Sequence, residues 1–106
     1  MYSAPEEFTI QVSRRQNATV LTLRGDLDLA SAEGLSASLA THRDAGEPVI
    51  LDLDALNFID SSGLRVILQA VEASGRDGWS FRITAGSEPV QRLLQAAGLT
   101  GRLPVV

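Results

Sequence analysis

The hydrophobic positions of the chain change period several times, and each change marks an element. Phe8, Ile10 and Val12 alternate with Thr9, Gln11 and Ser13, the period-two pattern of a half-buried strand. Arg15-Gln16-Asn17 follows as a turn, with Asn17 the residue suited to a positive φ. Thr19 to Arg24 is a second β-rich run that ends at Gly25, and the two runs read as a hairpin. Met1 to Glu7, ahead of them, are polar and expected to fray. Ala32, Leu35 and Leu39 then recur at helical spacing. Ser31 reads as the cap of this first helix, Glu33 suits the positive end of its dipole, and Gly46 and Pro48 close it.

Val49-Ile50-Leu51-Asp52-Leu53 is nearly all apolar, as expected of a strand covered on both faces. Beyond Asp60-Ser61-Ser62-Gly63, the residues Leu64, Ile67, Leu68 and Val71 fall at i, i+3, i+4 and i+7, one face of a helix reaching Ser74. Gly75 and Gly78 frame the next turn, and Trp79 to Thr84 is a short strand with Phe81 and Ile83 on one side. Ser87 caps a third helix, and Pro89 is tolerated in its first turn. Val90, Leu93, Leu94 and Ala97 form the stripe of this helix, with Gly98 at C′. Leu103 to Val106 is a candidate last strand. The order β-β-α-β-α-β-α-β implies an α/β fold with a mostly parallel sheet and right-handed crossovers.

Composition narrows the function classes. A chain of 106 residues, 44% hydrophobic and 21% charged, is expected to form one domain, 1–106, with its own core. The absence of cysteine excludes a disulfide framework and a thiolate metal site. No apolar run approaches the ~20 residues of a spanning helix, and the polar N-terminus lacks a signal-peptide pattern. A cytoplasmic location without direct membrane insertion is therefore expected. The net charge of −4 argues against nucleic acid as a partner. All nine cations are arginine and none is lysine. A GC-rich genome would produce this, and it excludes mechanisms that need a lysine.

Three stretches are candidates for chemistry. Asp52-Leu53-Asp54 ends an apolar strand, and carboxylates two residues apart share a face that can meet a cation. The pattern resembles the start of aspartyl-phosphate phosphatases, and a single strand-end aspartate resembles a receiver, but both chemistries use a downstream lysine. The plainer reading is a strand end meeting solvent. A serine nucleophile needs an adjacent, oriented base. Gly-x-Ser-x-Gly is absent, and the lone His42 sits beside Arg43 and Asp44 on what reads as a solvated face. No glycine-rich phosphate loop of familiar spacing is present. The third candidate is Ser61 as the acceptor of a phosphate from a separate kinase. Asp or Ser ahead of a helix is ordinarily a cap worth about 1 kcal/mol. Asp60, Ser61 and Ser62 supply more than one cap needs, and Gly63 lets another backbone approach. On chemistry alone, cap and acceptor both stand.

The run Leu51-Asp52-Leu53-Asp54-Ala55-Leu56-Asn57-Phe58-Ile59-Asp60-Ser61-Ser62-Gly63-Leu64 resembles the signature of STAS domains, in particular bacterial anti-anti-sigma factors (anti-sigma factor antagonists). Gly25-Asp26-Leu27-Asp28 resembles the family's Gly-Glu/Asp-Leu-Asp. Ser87 through Val90, Arg92, Leu93 and Leu94 to Gly98-Leu99 resembles its third-helix segment. The likeness spans nearly the whole chain. It implies the STAS fold, a mixed, mostly parallel sheet of four to five strands with helices.

It also implies a non-enzymatic switch without metal or cofactor. An anti-sigma factor with Ser/Thr kinase activity phosphorylates the serine after the aspartate, here Ser61. The unphosphorylated protein binds that anti-sigma factor and frees the sigma factor, and a PP2C-type phosphatase resets the modified form. Asp26, Asp28, Asp60, Ser62, Gly63, Leu64 and Arg65 become the phosphosite neighbours and partner-binding residues, and the phosphate would join two or three carboxylates. Two departures stand out. Arg65 occupies a position where sporulation-type members usually have glycine, and it can pair with Asp60 or a phosphate, or alter partner choice. The sequence ends at Val106, so the C-terminal helix that usually follows the last strand is expected to be short or absent, with one sheet face less covered. The competing readings are a STAS subunit of a transporter or stressosome-type complex acting without phosphorylation, and a small enzyme or metal protein using Asp52, Asp54 and Asp60.

Overall fold

A computed structural model describes residues 7–106. The expected fraying of Met1 to Glu7 therefore lies outside the described residues, except for Glu7. The elements are β1 (Thr9–Arg15), β2 (Ala18–Leu27), α1 (Leu29–Asp44), β3 (Val49–Asp52), β4 (Leu56–Ile59), α2 (Ser61–Asp77), β5 (Phe81–Ile83) and α3 (Glu88–Ala96). The α/β class and the mixed, mostly parallel sheet are as expected. β1 pairs antiparallel with β2, while β2–β3, β2–β4 and β3–β5 are all parallel.

The element order differs from expectation in two places. β4 is an additional strand, and Leu103 to Val106 contributes only a single bridge, Val105 to Ile83, with no regular strand. The first difference follows from β2. This strand does not stop at Gly25. It passes through the glycine, at φ 90°, with a register shift there, and so changes partner: Thr19 to Thr22 pair with β3, Gly25 to Leu27 with β4. A glycine in a strand interior commonly marks such a bulge. β3 ends because Asp52 Oδ1 accepts the Asp54 N–H (3.0 Å), turning the chain toward β4.

Along β2, Leu21, Leu23 and Leu27 point into the core. On β3, Val49 and Leu51 do so, and on β5, Phe81 and Ile83. Their alternates Thr22, Arg24, Ile50 and Arg82 are half-buried or exposed. The central strand is thus fully covered on one face only, which corrects the expectation of two. α1 and α2 pack on each other, and α3 against β4. Val12, expected to be half-buried, is 56% exposed because β1 is an edge strand.

Helix boundaries also moved. Asp28, not Ser31, is the N-cap of α1, and no acidic side chain lies in its first turn. α2 runs through Gly75 to Asp77 and is closed by Gly78 at φ 72°. Its buried face is Gly63, Leu64, Val66, Ile67, Ala70 and Ala73, with Leu68 and Val71 at the margin. Ser87 occupies the N-cap of α3 but makes no capping hydrogen bond. Val90 and Leu94 are buried, whereas Ala97 is exposed at the C-cap. Gly98, as expected at C′, donates to Gln95 O while the Leu99 N–H reaches Leu94 O, a Schellman closure. In the hairpin turn it is Gln16, not Asn17, that takes a positive φ (55°), as the first position of a two-residue hairpin loop demands.

Candidate functional site

β2 and β4 run parallel with Leu27 opposite Ile59, so the residues that follow, Asp28 and Asp60, leave the sheet at the same level. Each is extended and each caps a helix. Two helix N-termini therefore open side by side at the C-terminal edge of the parallel strands, where open α/β sheets place their sites. Asp60 Oδ1 accepts from the Ser62 N–H (2.8 Å) and the Gly63 N–H (3.3 Å). Asp28 Oδ1 accepts from Ala30 and Ser31 in the same way, at 3.0 and 3.3 Å.

The third helical residue separates the two starts. In α1 it is Ser31, whose Oγ accepts from the Asp28 N–H (3.0 Å) and donates to Asp26 O (2.8 Å), closing a capping box. In α2 it is Gly63, and the Asp60 N–H goes instead to Leu27 O (3.1 Å). A Cβ on Gly63 would stand 2.5 Å from Leu27 Cγ and 3.0 Å from Leu27 O. The glycine is what lets the start of α2 seat against the end of β2.

Ser61 is the first residue of α2. It is exposed, and its hydroxyl makes no hydrogen bond with any described residue. With Ser62, Arg65, Leu29, Glu33 and Val66 it lines an open groove between the two helices. Asp26 and Asp28 line the adjoining depression on the other side of the α1 start, with Phe8 and Ser31. The sequence reading placed both aspartates beside the phosphosite. Asp60 does cap its helix there, but Asp28 spends its carboxylate on its own helix. Gly63 and Leu64, expected among the partner-contacting residues, are buried and support the surface from beneath.

Two surface residues escaped the sequence reading. Leu29 is 78% exposed, and Phe58, opposite Asp26 in the β2–β4 register, is 47% exposed. The available signal was an apolar residue directly after a capping aspartate and a phenylalanine on a strand beside polar Asn57.

The other candidates come apart. Asp52 is taken up by the Asp54 N–H and by the hydroxyls of Thr84 and Thr22, and Asp54 Oδ1 accepts the Gly86 N–H (2.9 Å). The two carboxylates serve turns, and the described residues include no group of three or more His, Cys, Asp or Glu placed to hold a metal. His42 is not on a solvated face. It is half-buried at the far end of α1, its Nδ1–H donating to Glu47 Oε2 (2.8 Å), on the order of 20 Å along the helix from the Ser61 groove. Thr19, 1% exposed, donates to the same oxygen (2.9 Å). The two hydrogen bonds, that from His42 first, hold the Glu47 carboxyl below its ordinary value. Among the described residues no helix is long and apolar enough to cross a membrane.

Comparison with known proteins agrees with this fold. An anti-sigma F factor antagonist of Paenibacillus polymyxa is 30% identical over 98 residues, 91% of this chain and 84% of the relative. The crystal structure of an anti-sigma factor antagonist from Mycobacterium paratuberculosis superposes with a TM-score of 0.83 at 25% identity, covering 98% of this chain and 89% of the other. The Bacillus cell fate determinant SpoIIAA, solved in its phosphorylated form, shares the fold at a TM-score of 0.68 and 23% identity, over 88% and 86% of the two chains. The sequence model of the STAS domain matches residues 9–105, and the chain belongs to that family.

Proposed function

We propose that this chain is an anti-sigma factor antagonist working as a phospho-switch at Ser61. The observation that carries the reading is the state of that hydroxyl: exposed, unpaired among the described residues, and one position past a cap already satisfied by Asp60. Its modification leaves every capping hydrogen bond in place. Unmodified, the edge formed by Ser61, Arg65, Asp26, Leu29 and Phe58 docks an anti-sigma factor with Ser/Thr kinase activity, releasing the sigma factor. Leu29 and Phe58 supply the apolar anchors, Ser62 and Asp60 shape the helix start, Asp28 fixes the neighbouring one, and Gly63 and Leu64 position α2.

In the modifying step, Ser61 Oγ attacks the γ-phosphorus of ATP, the bond to the β-phosphate oxygen breaks, and ADP leaves. The hydroxyl proton passes to the kinase. A PP2C-type phosphatase hydrolyses the ester and restores the docking form. A phosphoserine brings about −1.5 to −2 charges to an edge that already carries Asp26, Asp28, Glu33 and the capping Asp60. Burying that dianion against a partner is strongly unfavourable. The domain itself tolerates it, because a helix N-terminus favours negative charge. That SpoIIAA has been solved phosphorylated supports a fold that survives modification.

The test is the affinity of Ser61→Asp and Ser61→Ala for kinase-type anti-sigma factors from the same genome. Ser61→Asp should bind about 100-fold more weakly, Ser61→Ala like the parent, and both should keep the parental circular dichroism. Wild-type affinity for Ser61→Asp, or its unfolding, contradicts the switch. Partner binding indifferent to position 61 points instead to a STAS subunit of a transporter or stressosome-type assembly.

A further inference from the structure

Arg65 follows Ser61 by four residues on α2, so the two side chains are neighbours on one face of the helix. Both line the groove between α1 and α2. Arg65 is exposed and, among the described residues, has no ion-pair partner, although Glu33 lines the same groove and Asp60 caps the same helix. Among the described residues it is the one basic residue lining either this groove or the depression that holds Asp26 and Asp28. A guanidinium kept free of carboxylates, one turn from a free hydroxyl, is placed for what that hydroxyl becomes.

We propose that the phosphate on Ser61 is captured by Arg65 of the same helix, and that this pair sets the geometry of the modified state. The inference rests on Ser61 being the phosphoacceptor. The guanidinium fork matches a phosphate and forms short, charge-assisted hydrogen bonds. Capture holds the dianion against its own helix rather than letting it swing over the groove. It also withdraws the only cation among the described residues lining this edge from any acidic group a docked partner presents, so one modification both adds negative charge and removes a positive contact. The charged groups around the phosphate are Arg65 on α2 with Asp60 at its N-cap, Glu33 on α1, and Glu7, Asp26 and Asp28 in the adjoining depression. Of these, only Arg65 favours the dianion.

The experiment installs phosphoserine at position 61 by co-translational incorporation, so no kinase is needed. The second ionisation of the phosphate is then followed by phosphorus NMR in the parent, Arg65→Gln and Arg65→Lys. An ordinary phosphoserine loses its second proton near pH 6. Arg65→Gln should raise the observed midpoint by about half a unit, and Arg65→Lys should recover part of the shift. Arg65→Gln should also lower the melting temperature of the phosphorylated chain by about 2–4 °C while leaving the unmodified chain unchanged. Equal midpoints in the parent and Arg65→Gln overturn the proposal, as does an equal loss of melting temperature with and without phosphate. A chain that no kinase modifies would remove the switch reading but leave this result intact.

Discussion

The starts of α1 and α2 share a capping aspartate and differ at the three residues after it, Leu29-Ala30-Ser31 in one and Ser61-Ser62-Gly63 in the other. Both leave parallel strands at matching registers, both are capped by an aspartate that accepts two backbone N–H groups, and both have serine nearby. In α1 the serine is the third helical residue, and its hydroxyl is consumed between Asp28 N and Asp26 O. In α2 the third residue is Gly63, and Ser61, at the first, is left with a free hydroxyl in a groove. A serine beside a helix cap is structural or available according to its offset from the cap. Gly63 sets a separate feature, the close seat of α2 against Leu27 that a side chain would block.

The largest effect should come from breaking that approach. Gly63→Ala places a Cβ against Leu27 Cγ and the Leu27 carbonyl, and should cost about 2 kcal/mol in urea-induced unfolding. A neutral result would mean that Gly63 does not set how closely α2 seats against Leu27. The direct comparison is smaller. Ser31→Ala removes the capping-box hydroxyl and should cost about 1 kcal/mol, whereas Ser61→Ala should stay within about 0.5 kcal/mol of the parent. Equal losses at the two serines would erase the distinction.

The smallest effect lies at the other end of α1, away from both starts. The Glu47 carboxyl is held below its ordinary 4.5 by the hydrogen bonds from His42 and Thr19. A carboxyl depressed in the folded state contributes stability above its unfolded value and loses it as the pH falls through the folded one. The melting temperature should therefore drop on acidification below about pH 5, and Glu47→Gln should flatten that slope. An unchanged slope would remove this cluster as an acid-sensitive source.

What could be read from the sequence follows from locality. The stripes of α1 and of α3 near Val90 and Leu94, the cap at Asp60 and Gly98 at C′ all depend on residues within a turn or two of one another. The misplaced features depend on pairing across the chain. β4 was hidden because Phe58 faces outward beside Asp26, so Leu56 to Ile59 lacks a clean alternation. β2 was cut short because a glycine that ends most strands here allows a change of partner. Asp28 and Ser31 are both good caps by type, and only the reciprocal hydrogen bonds assign their roles. His42 looked solvated until Glu47, across the Ala45-Gly46 turn, supplied its partner. Leu29 and Phe58 carry no local mark of function, and their exposure emerges only with the fold.

The most direct measurement is phosphosite mapping after incubation with kinase-type anti-sigma factors and ATP. The free hydroxyl at Ser61 and the engaged one at Ser31 predict a single phosphate, localised by fragmentation mass spectrometry to Ser61. It should be absent from Ser61→Ala even though Ser62 and Ser31 remain. A phosphate on Ser31 or Ser62, or an unmodified Ser61 with every such kinase, would contradict the account.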